Sequence, residues 1–359
     1  MKIFYDNIIF DLQRAGGISV YWYELIDRLL KNNISVNFIE HENSNNIFRK
    51  ELNISEDKIL REKRIPLKFL RYLSLKIKIK PNSIFHSSYY RIANQRNVIN
   101  IVTVHDFTYE YFISGLAKKI HVLQKKNAIK KSDGIICVSE NTKEDLIKFY
   151  PYIDENKIKV IYNGVSDDFY NIEDSENKNN NRYSQQKFIM FVGDRSGYKN
   201  FDVAIKVVEN MENYKLMIIG GKELSQYEIR LLKNSIGDRY EHLKGISNEE
   251  LNILYNSAFC LLYPSSYEGF GIPVIEAMKS GCPVVAMKCS SIPEVAGNAG
   301  VLVENKNYDE FIEAVKKLEN QPFRGNIIKA GFKQAQKFSW EKTYKDTVEF
   351  YKEIYNYHR

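Results

Sequence analysis

In Ser265-Ser266-Tyr267-Glu268-Gly269-Phe270-Gly271-Ile272-Pro273-Val274-Ile275-Glu276-Ala277-Met278 an apolar run gives way to a glycine-rich loop and then to a helix. The run 259–264 that precedes it has the length and composition of a buried strand, and 283–287 is another. Between them Pro273 stands where a helix begins, because its missing N–H and fixed φ cost nothing there. Gly281 stands where the helix ends. The backbone N–H groups of Gly269, Phe270, Gly271 and Ile272 can donate to ligand oxygens, with Glu268 in the loop beside them. Glu276 falls in the first turns of the helix, where a carboxylate can accept from two adjacent ribose hydroxyls. Two glutamates alone would read as solvated surface. Two glycines within four residues at the end of a buried strand favour a ligand site.

The same strand–loop–helix unit recurs along the chain. The first half offers apolar runs at 2–6, 34–40, 83–87, 99–105, 134–139 and 158–162; the second half offers 187–193, 215–220, 259–264, 283–287 and 300–303. Strands rich in β-branched residues alternating with amphipathic helices predict parallel sheets covered on both faces. The polar, asparagine-rich segment 171–186 interrupts the pattern and reads as a linker. The expectation is an α/β chain of two Rossmann-like domains, 1–170 and 187–339, facing a cleft. A last amphipathic helix from about 340, with Trp340, Tyr344, Val348, Tyr351 and Tyr355 on one stripe, closes either the second domain or the first.

Two further loops invite ligands. Gly193-Asp194-Arg195-Ser196-Gly197-Tyr198-Lys199-Asn200-Phe201 follows an apolar strand and places Arg195 and Lys199 where open α/β sheets bind ligands. Two cations there suit a pyrophosphate. The loop has neither the GxGxxG spacing nor the GK[ST] ending, which argues against NAD binding and ATPase chemistry. Gly16-Gly17, between the opening strand and a helix, would let a backbone approach an anion at a helix N-terminus.

The 359 residues, 44% hydrophobic and 27% charged, suffice for two cores. Cys137, Cys260, Cys282 and Cys289 lie in or beside apolar runs without metal-ligand spacing, so buried free thiols and no metal are expected. With no apolar run of about 18 residues and no leader pattern, a cytoplasmic protein is expected. The net charge of +7 suits anionic partners other than nucleic acid. Segment 61–80 interleaves Arg61, Lys63, Arg64, Lys68, Arg71, Lys76, Lys78 and Lys80 with Leu67, Phe69, Leu70, Leu73, Leu75, Ile77 and Ile79. It reads equally as a contact for anionic lipid on the inner face of the plasma membrane or as a plain solvated surface.

The segment Glu268 to Glu276 resembles the E-x7-E motif of retaining glycosyltransferases of family 4, which have the GT-B fold. Gly193 to Phe201 is similar to that family's phosphate loop in the YKNF form of bacterial surface-polysaccharide (O-antigen) glycosyl- and mannosyltransferases. Gly16-Gly17 matches its N-terminal glycine loop, Asn163-Gly164-Val165 its NGV segment, and Ser290 to Val295 with Gly297 and Gly300 its last signature. The resemblance runs from about residue 1 to 350 and is tightest in the C-terminal half. It implies that Arg195 and Lys199 hold the diphosphate of a GDP- or UDP-sugar and that Glu276 holds its ribose. Glu268 and Gly269 to Ile272 would face the transferred hexose, with His105 near it and Gly16, Gly17, Asn163 and Gly193 lining the donor site.

A retaining transfer to a glycan or polyprenyl-diphosphate-linked acceptor follows as the expected activity. Protein cations would stand in for the metal clamp, because the chain contains no D-x-D tripeptide. A GT-B-like UDP-sugar epimerase and a non-catalytic membrane-associated binding protein are the competing readings.

Overall fold

A computed structural model describes residues 1–41, 44–62, 65–172, 183 and 186–358. The chain divides into two compact units, one formed by Met1–Gly164 with Trp340–Arg359 and the other by Val165–Ser339. In the first unit β1 (Ile3–Asp6), β2 (Val36–Glu40), β3 (Ile59–Arg61), β4 (Ser83–Ser87), β5 (Val98–Val104), β6 (Gly134–Cys137) and β7 (Ile158–Val160) form one sheet ordered β3-β2-β1-β4-β5-β6-β7. In the second, β8 (Phe188–Val192), β9 (Lys215–Ile219), β10 (Tyr240–Leu243), β11 (Cys260–Tyr263), β12 (Val284–Met287) and β13 (Val301–Val303) are ordered β10-β9-β8-β11-β12-β13. Neighbouring strands pair in parallel throughout. These are two Rossmann-like sheets, each reversing its winding once, between β1 and β4 and between β8 and β11. Ligands of such sheets bind outside the carboxyl ends of the strands at that reversal.

The central strands are apolar without alternation because helices cover both faces: every residue of β5 and β11 is buried. Two strands lie outside the expected apolar runs. β3 ends on exposed Arg61, and β10 reads Tyr-Glu-His-Leu with every residue only half-buried. Both are edge strands, so one side needs no apolar cover and their hydrophobic signal is diluted.

Segment 61–80 is neither an amphipathic helix nor a strand beyond Arg61. Leu67–Leu70 forms one short helical turn, and 71–82 runs without regular structure. Leu75 and Ile79 are buried in a core with Phe4, Ile39 and Phe85, and Ile77 packs against it, while Lys76, Lys78 and Lys80 point outward at a period of two. The core therefore takes apolar side chains that a lipid surface would need, and Phe69, 57% exposed, is the main exception. Lys63 and Arg64 lie outside the described residues, as does most of the expected linker 171–186. At that linker's ends the Ile172 amide donates to Asn256 (2.8 Å) and the Tyr183 hydroxyl to Glu250 (2.7 Å). Among the described residues no helix is long and apolar enough to cross a membrane. The four cysteines are free thiols, Cys289 half-buried and the others buried.

The helix Trp340–Tyr357 packs within the first unit. The Thr343 hydroxyl donates to the Tyr162 carbonyl (2.7 Å). Tyr351 carries its hydroxyl into the sheet, where it lies 2.7 Å from that of Tyr5 and 2.5 Å from His86 Nδ1. His86 Nε2 lies 2.9 Å from the Thr103 hydroxyl, and Tyr21 is 3.3 Å from the same oxygen. Gly134 makes the approach possible, because a Cβ there would sit 3.0 Å from the Phe350 ring. The burial of His86 lowers its pKa to about 3, with a further push from His105, so the imidazole is neutral at physiological pH.

Tyr351→Phe keeps the ring but leaves the His86 nitrogen and the Tyr5 hydroxyl without that partner in a fully buried site. A loss of about 1–3 kcal/mol is expected, read as a lower urea midpoint or melting temperature of the full chain.

Candidate functional site

The reversal point of the second sheet lies between the loops that follow β8 and β11. Asn200 joins these loops. Its backbone takes the left-handed conformation (φ 51°), which asparagine tolerates better than most residues, and its side-chain amide donates to the Pro264 carbonyl and the Ser266 hydroxyl, both at 2.7 Å. The Ser266 amide donates back to the Tyr198 carbonyl (2.7 Å). Clamped in this way, Lys199 and Glu268 meet at 2.6 Å, with side chains 12% and 11% exposed. Burial pulls the Lys199 pKa down, but the Glu268 carboxylate with Tyr198 and Asp194 together outweigh it and the net shift is upward, so the ammonium stays charged. Its Nζ also lies 5.2 Å from the Tyr198 ring and 5.6 Å from that of Tyr263.

The loop Glu268–Gly271 is held from below. The Glu268 amide donates to the Ser290 hydroxyl (2.8 Å), and the Ser291 hydroxyl serves the carbonyls of Glu268 (2.9 Å) and Phe270 (3.0 Å). Gly271 turns the chain into the helix Ile272–Lys279 with φ +97°, and a Cβ there would lie 2.9 Å from Ile292 Cδ1. Among the described residues that helix has no side-chain cap hydrogen bond at Gly271, and its N-terminus carries the partial positive charge of its dipole. On its third turn-forming position past Pro273, Glu276 accepts a hydrogen bond from the Tyr255 hydroxyl at 3.2 Å. Burial raises the Glu276 pKa to about 7, and the Tyr255 hydrogen bond offsets only part of that.

Arg195 stands in the loop after β8, already bonded within the unit. Its Nε pairs with Glu228 at 2.6 Å, and the terminal nitrogens donate to the carbonyls of Gly220 (3.3 Å), Lys222 (2.6 Å) and Glu223 (3.2 Å). The guanidinium thus braces the loop after β9. Lys199 is the cation presented at the reversal point, although Glu268 neutralises it. Gly193 begins the Arg195 loop, its amide donating to the Ile219 carbonyl (2.9 Å).

Gly16, Gly17, His105 and Asn163 belong to the first unit. Gly16 caps the helix Gly17–Lys31 in an extended conformation that any residue can adopt; what requires glycine is space, because a Cβ would lie 2.6 Å from Gln13 Oε1. His105, half-buried, stands edge-on to Tyr21 with ring centroids 5.0 Å apart. Burial lowers its pKa to about 4 despite the opposing Asp106 carboxylate, so it is a neutral hydrogen-bonding group. Asn163 is buried, and its Oδ1 has no hydrogen-bond partner among the described residues. Glu228, Tyr255, Ser290 and Ser291 complete the second-unit site without having been singled out from the sequence for these contacts. Partners 33 and 21 residues away from Arg195 and Glu276 leave no local pattern. Among the described residues no cluster of three or more His, Cys, Asp or Glu could hold a metal ion.

The sequence family described as Glycosyltransferase Family 4 matches residues 15–169, and the one described as Glycosyl transferases group 1 matches residues 172–334. The O-antigen chain mannosyltransferase RfbU of Salmonella typhimurium is 30% identical over 261 residues, 70% of this chain and 69% of that protein. Among solved structures, sucrose-phosphate synthase from Thermosynechococcus elongatus superposes with a TM-score of 0.78 at 17% identity, covering 99% of both chains. Anabaena HepE, solved with UDP and glucose, superposes with a TM-score of 0.75 at 16% identity, covering 97% of this chain and 98% of its own. Both have the GT-B fold.

With its carboxyl titrating near pH 7, Glu276 is half protonated at neutrality. A ribose diol held by Glu276 would donate to the ionised form, and nucleotide binding through that contact should then tighten as pH rises, by about tenfold between pH 6 and pH 8. Titration calorimetry with UDP and GDP checks this, and Glu276→Gln should flatten the profile.

Proposed function

The chain belongs to glycosyltransferase family 4, and from that premise we propose that it transfers a hexose, with retention and without a metal ion, from a GDP- or UDP-sugar to a glycan acceptor. That it is a glycosyltransferase follows from the family and from the O-antigen mannosyltransferase relative. The observation that carries the finer reading is Lys199, a charged, largely buried ammonium at the reversal point of the second sheet, with Glu276 on the helix that starts at the same edge.

The step to be catalysed is cleavage of the bond from the anomeric carbon to the diphosphate oxygen while a bond forms to an acceptor hydroxyl oxygen. Negative charge grows on the departing diphosphate. In a site shielded from water the Lys199 ammonium and the uncapped N-terminus of Ile272–Lys279 offset that charge. The acceptor proton passes to the departing phosphate oxygen on the same face of the sugar, which balances the reaction without a protein base. Glu276 holds the ribose. Glu268, released from Lys199 as the diphosphate replaces it, faces the hexose hydroxyls together with the backbone of Gly269 to Ile272. Arg195 acts through the loop 220–223 it braces, as a positioning residue. His105, neutral, would donate or accept a hydrogen bond at the sugar; Gly16, Gly17, Gly193 and Asn163 would line the donor.

A mannosyl donor is favoured by the relative named as a mannosyltransferase, and a lipid-linked acceptor by its O-antigen product. The row Lys76, Lys78 and Lys80 supports contact with anionic headgroups, through charge alone since the intervening Leu75, Ile77 and Ile79 face the core.

Incubating the full chain with a panel of GDP- and UDP-hexoses tests the reading: nucleotide release should depend on added acceptor, persist in EDTA and give a product of retained anomeric configuration. Acceptor-independent turnover would instead indicate an epimerase, and no turnover a binding protein. Lys199→Ala should lower kcat by about 10²–10³-fold, the usual cost of removing one transition-state charge contact. Glu276→Ala should act chiefly on the donor KM. Reversing Lys76, Lys78 and Lys80 to glutamate should weaken binding to vesicles containing anionic lipid, measured by co-sedimentation.

A further inference from the structure

Two helices of the second unit, Asn248–Ser257 and Ile272–Lys279, pack side by side and are joined by side-chain hydrogen bonds at two points. At one, the Ser280 hydroxyl donates to the side-chain oxygen of the buried Asn252 (2.8 Å). At the other, the Tyr255 hydroxyl donates to Glu276 Oε2 (3.2 Å). Asn252 and Tyr255 are one turn apart on the first helix, as Glu276 and Ser280 are at the second, so both contacts lie on one seam.

The two contacts differ in kind. The first joins neutral groups, whereas the second uses a carboxylate. Burial raises the Glu276 pKa to about 7, and the Tyr255 hydrogen bond opposes burial only in part. Among the described residues no cation pairs with Glu276. Lys279, on the same helix, is held by Asp167 (2.7 Å) and the Ser166 carbonyl (3.0 Å). Arg324, on the adjoining helix Gln321–Ala335, donates to the carbonyls of Phe259 (2.6 Å) and Ala258 (3.4 Å), and Lys329 and Lys333 of that helix are exposed. Glu250, on the helix of Tyr255, is engaged by the Tyr183 hydroxyl, and Glu294 on Ile292–Ala296 is half-buried. Burial keeps Cys260 and Tyr263 on β11, and Cys282 ahead of β12, in their neutral forms.

A seam that only docked two helices would be served as well by glutamine at 276, without the cost of burying a charge. A half-buried carboxylate with a single hydrogen-bond donor is a poor device for stability and a good one for a ligand. Tyr255 is suited to hold it. The ring is fully buried and stands edge-on to Phe169, with centroids 5.9 Å apart. Burial and the neighbouring Glu276 charge keep the phenol well above its ordinary pKa, so it remains a donor at physiological pH. Its one proton is given to Oε2, and among the described residues Oε1 accepts from no protein donor.

We infer that Tyr255 is a positioning residue for the nucleotide: from the neighbouring helix its hydroxyl engages one oxygen of the Glu276 carboxylate and leaves the other to the ribose diol. This deepens the donor-binding role of Glu276 and rests on it. A hydrogen bond to the charged form favours that form, so the same contact keeps Glu276 able to accept from the ribose near neutrality.

Tyr255→Phe in the full chain tests this by calorimetry with UDP and GDP between pH 6 and pH 9. Loss of the hydroxyl removes the influence that favours ionisation, so the Glu276 pKa rises further. The midpoint of the pH-dependent tightening should move up by about one pH unit, the lower end of what a hydrogen bond to a charged group is worth. Affinity at pH 7 should fall about fivefold, and the deficit should narrow toward pH 9. In a Glu276→Gln background the same substitution should change affinity by less than about twofold at every pH. Replacing Tyr255 with ortho-fluorotyrosine, a stronger donor that keeps the ring and the hydroxyl, should move the midpoint down, and this variant decides the matter if the melting temperature shows Tyr255→Phe to be unfolded. A midpoint that neither change moves, or a loss of equal size at every pH, would overturn the inference. Failure of the underlying ribose contact shows separately, as a Glu276→Gln variant that keeps the wild-type pH profile.

Discussion

The hydroxyl of Tyr351 ties the last helix of the chain to the first sheet. It meets Tyr5 on β1 and His86 on β4, the two strands that flank the reversal of the first sheet, and His86 passes the connection to Thr103 on β5. A polar junction so deeply buried is stable only when each member is satisfied, because an orphaned imidazole or phenol costs as much as the bond is worth. Its members are neutral, which spares the larger penalty of buried charge. Tyr21 extends it from Thr103 to the ring of His105. The orientation of a proposed functional histidine therefore depends on a helix that begins 235 positions later in the chain (340 − 105).

Charge in the second unit is handled differently. Lys199 is kept ionised in a largely buried position by Glu268, and Arg195 is paired with Glu228. Such pairs offset desolvation without adding much net stability. Their consequence is local: two loops, those after β8 and β11, are drawn to one edge. In the first unit the buried Arg91, paired with Asp6 and Glu62, follows the same rule with two carboxylates instead of one.

Much of this was legible along the chain. Strands buried on both faces are continuous apolar runs, so the central strands declare themselves, and Pro273 and Gly271 mark the helix start because backbone geometry restricts which residues can stand there. Edge strands β3 and β10 were silent for want of a second buried face. Segment 61–80 carried an alternation of lysine and aliphatic side chains, a pattern equally consistent with a lipid surface and with an extended strip laid on a core. Only the presence of Phe4, Ile39 and Phe85 beneath Leu75 and Ile79 separates the two.

The sequence by itself determined the fold class, the strand–loop–helix frame of the motif 268–276 and the presence of cations at the end of β8, because each is written in local periodicity, turn chemistry or residue type. The tertiary structure decided what those residues do to one another. It gave Arg195 to Glu228, Lys199 to Glu268 and Glu276 to Tyr255, and returned the helix from Trp340 to the first unit. These are pairings across long sequence separations, governed by burial and charge compensation, and a linear chain records the partners without recording which of them meet.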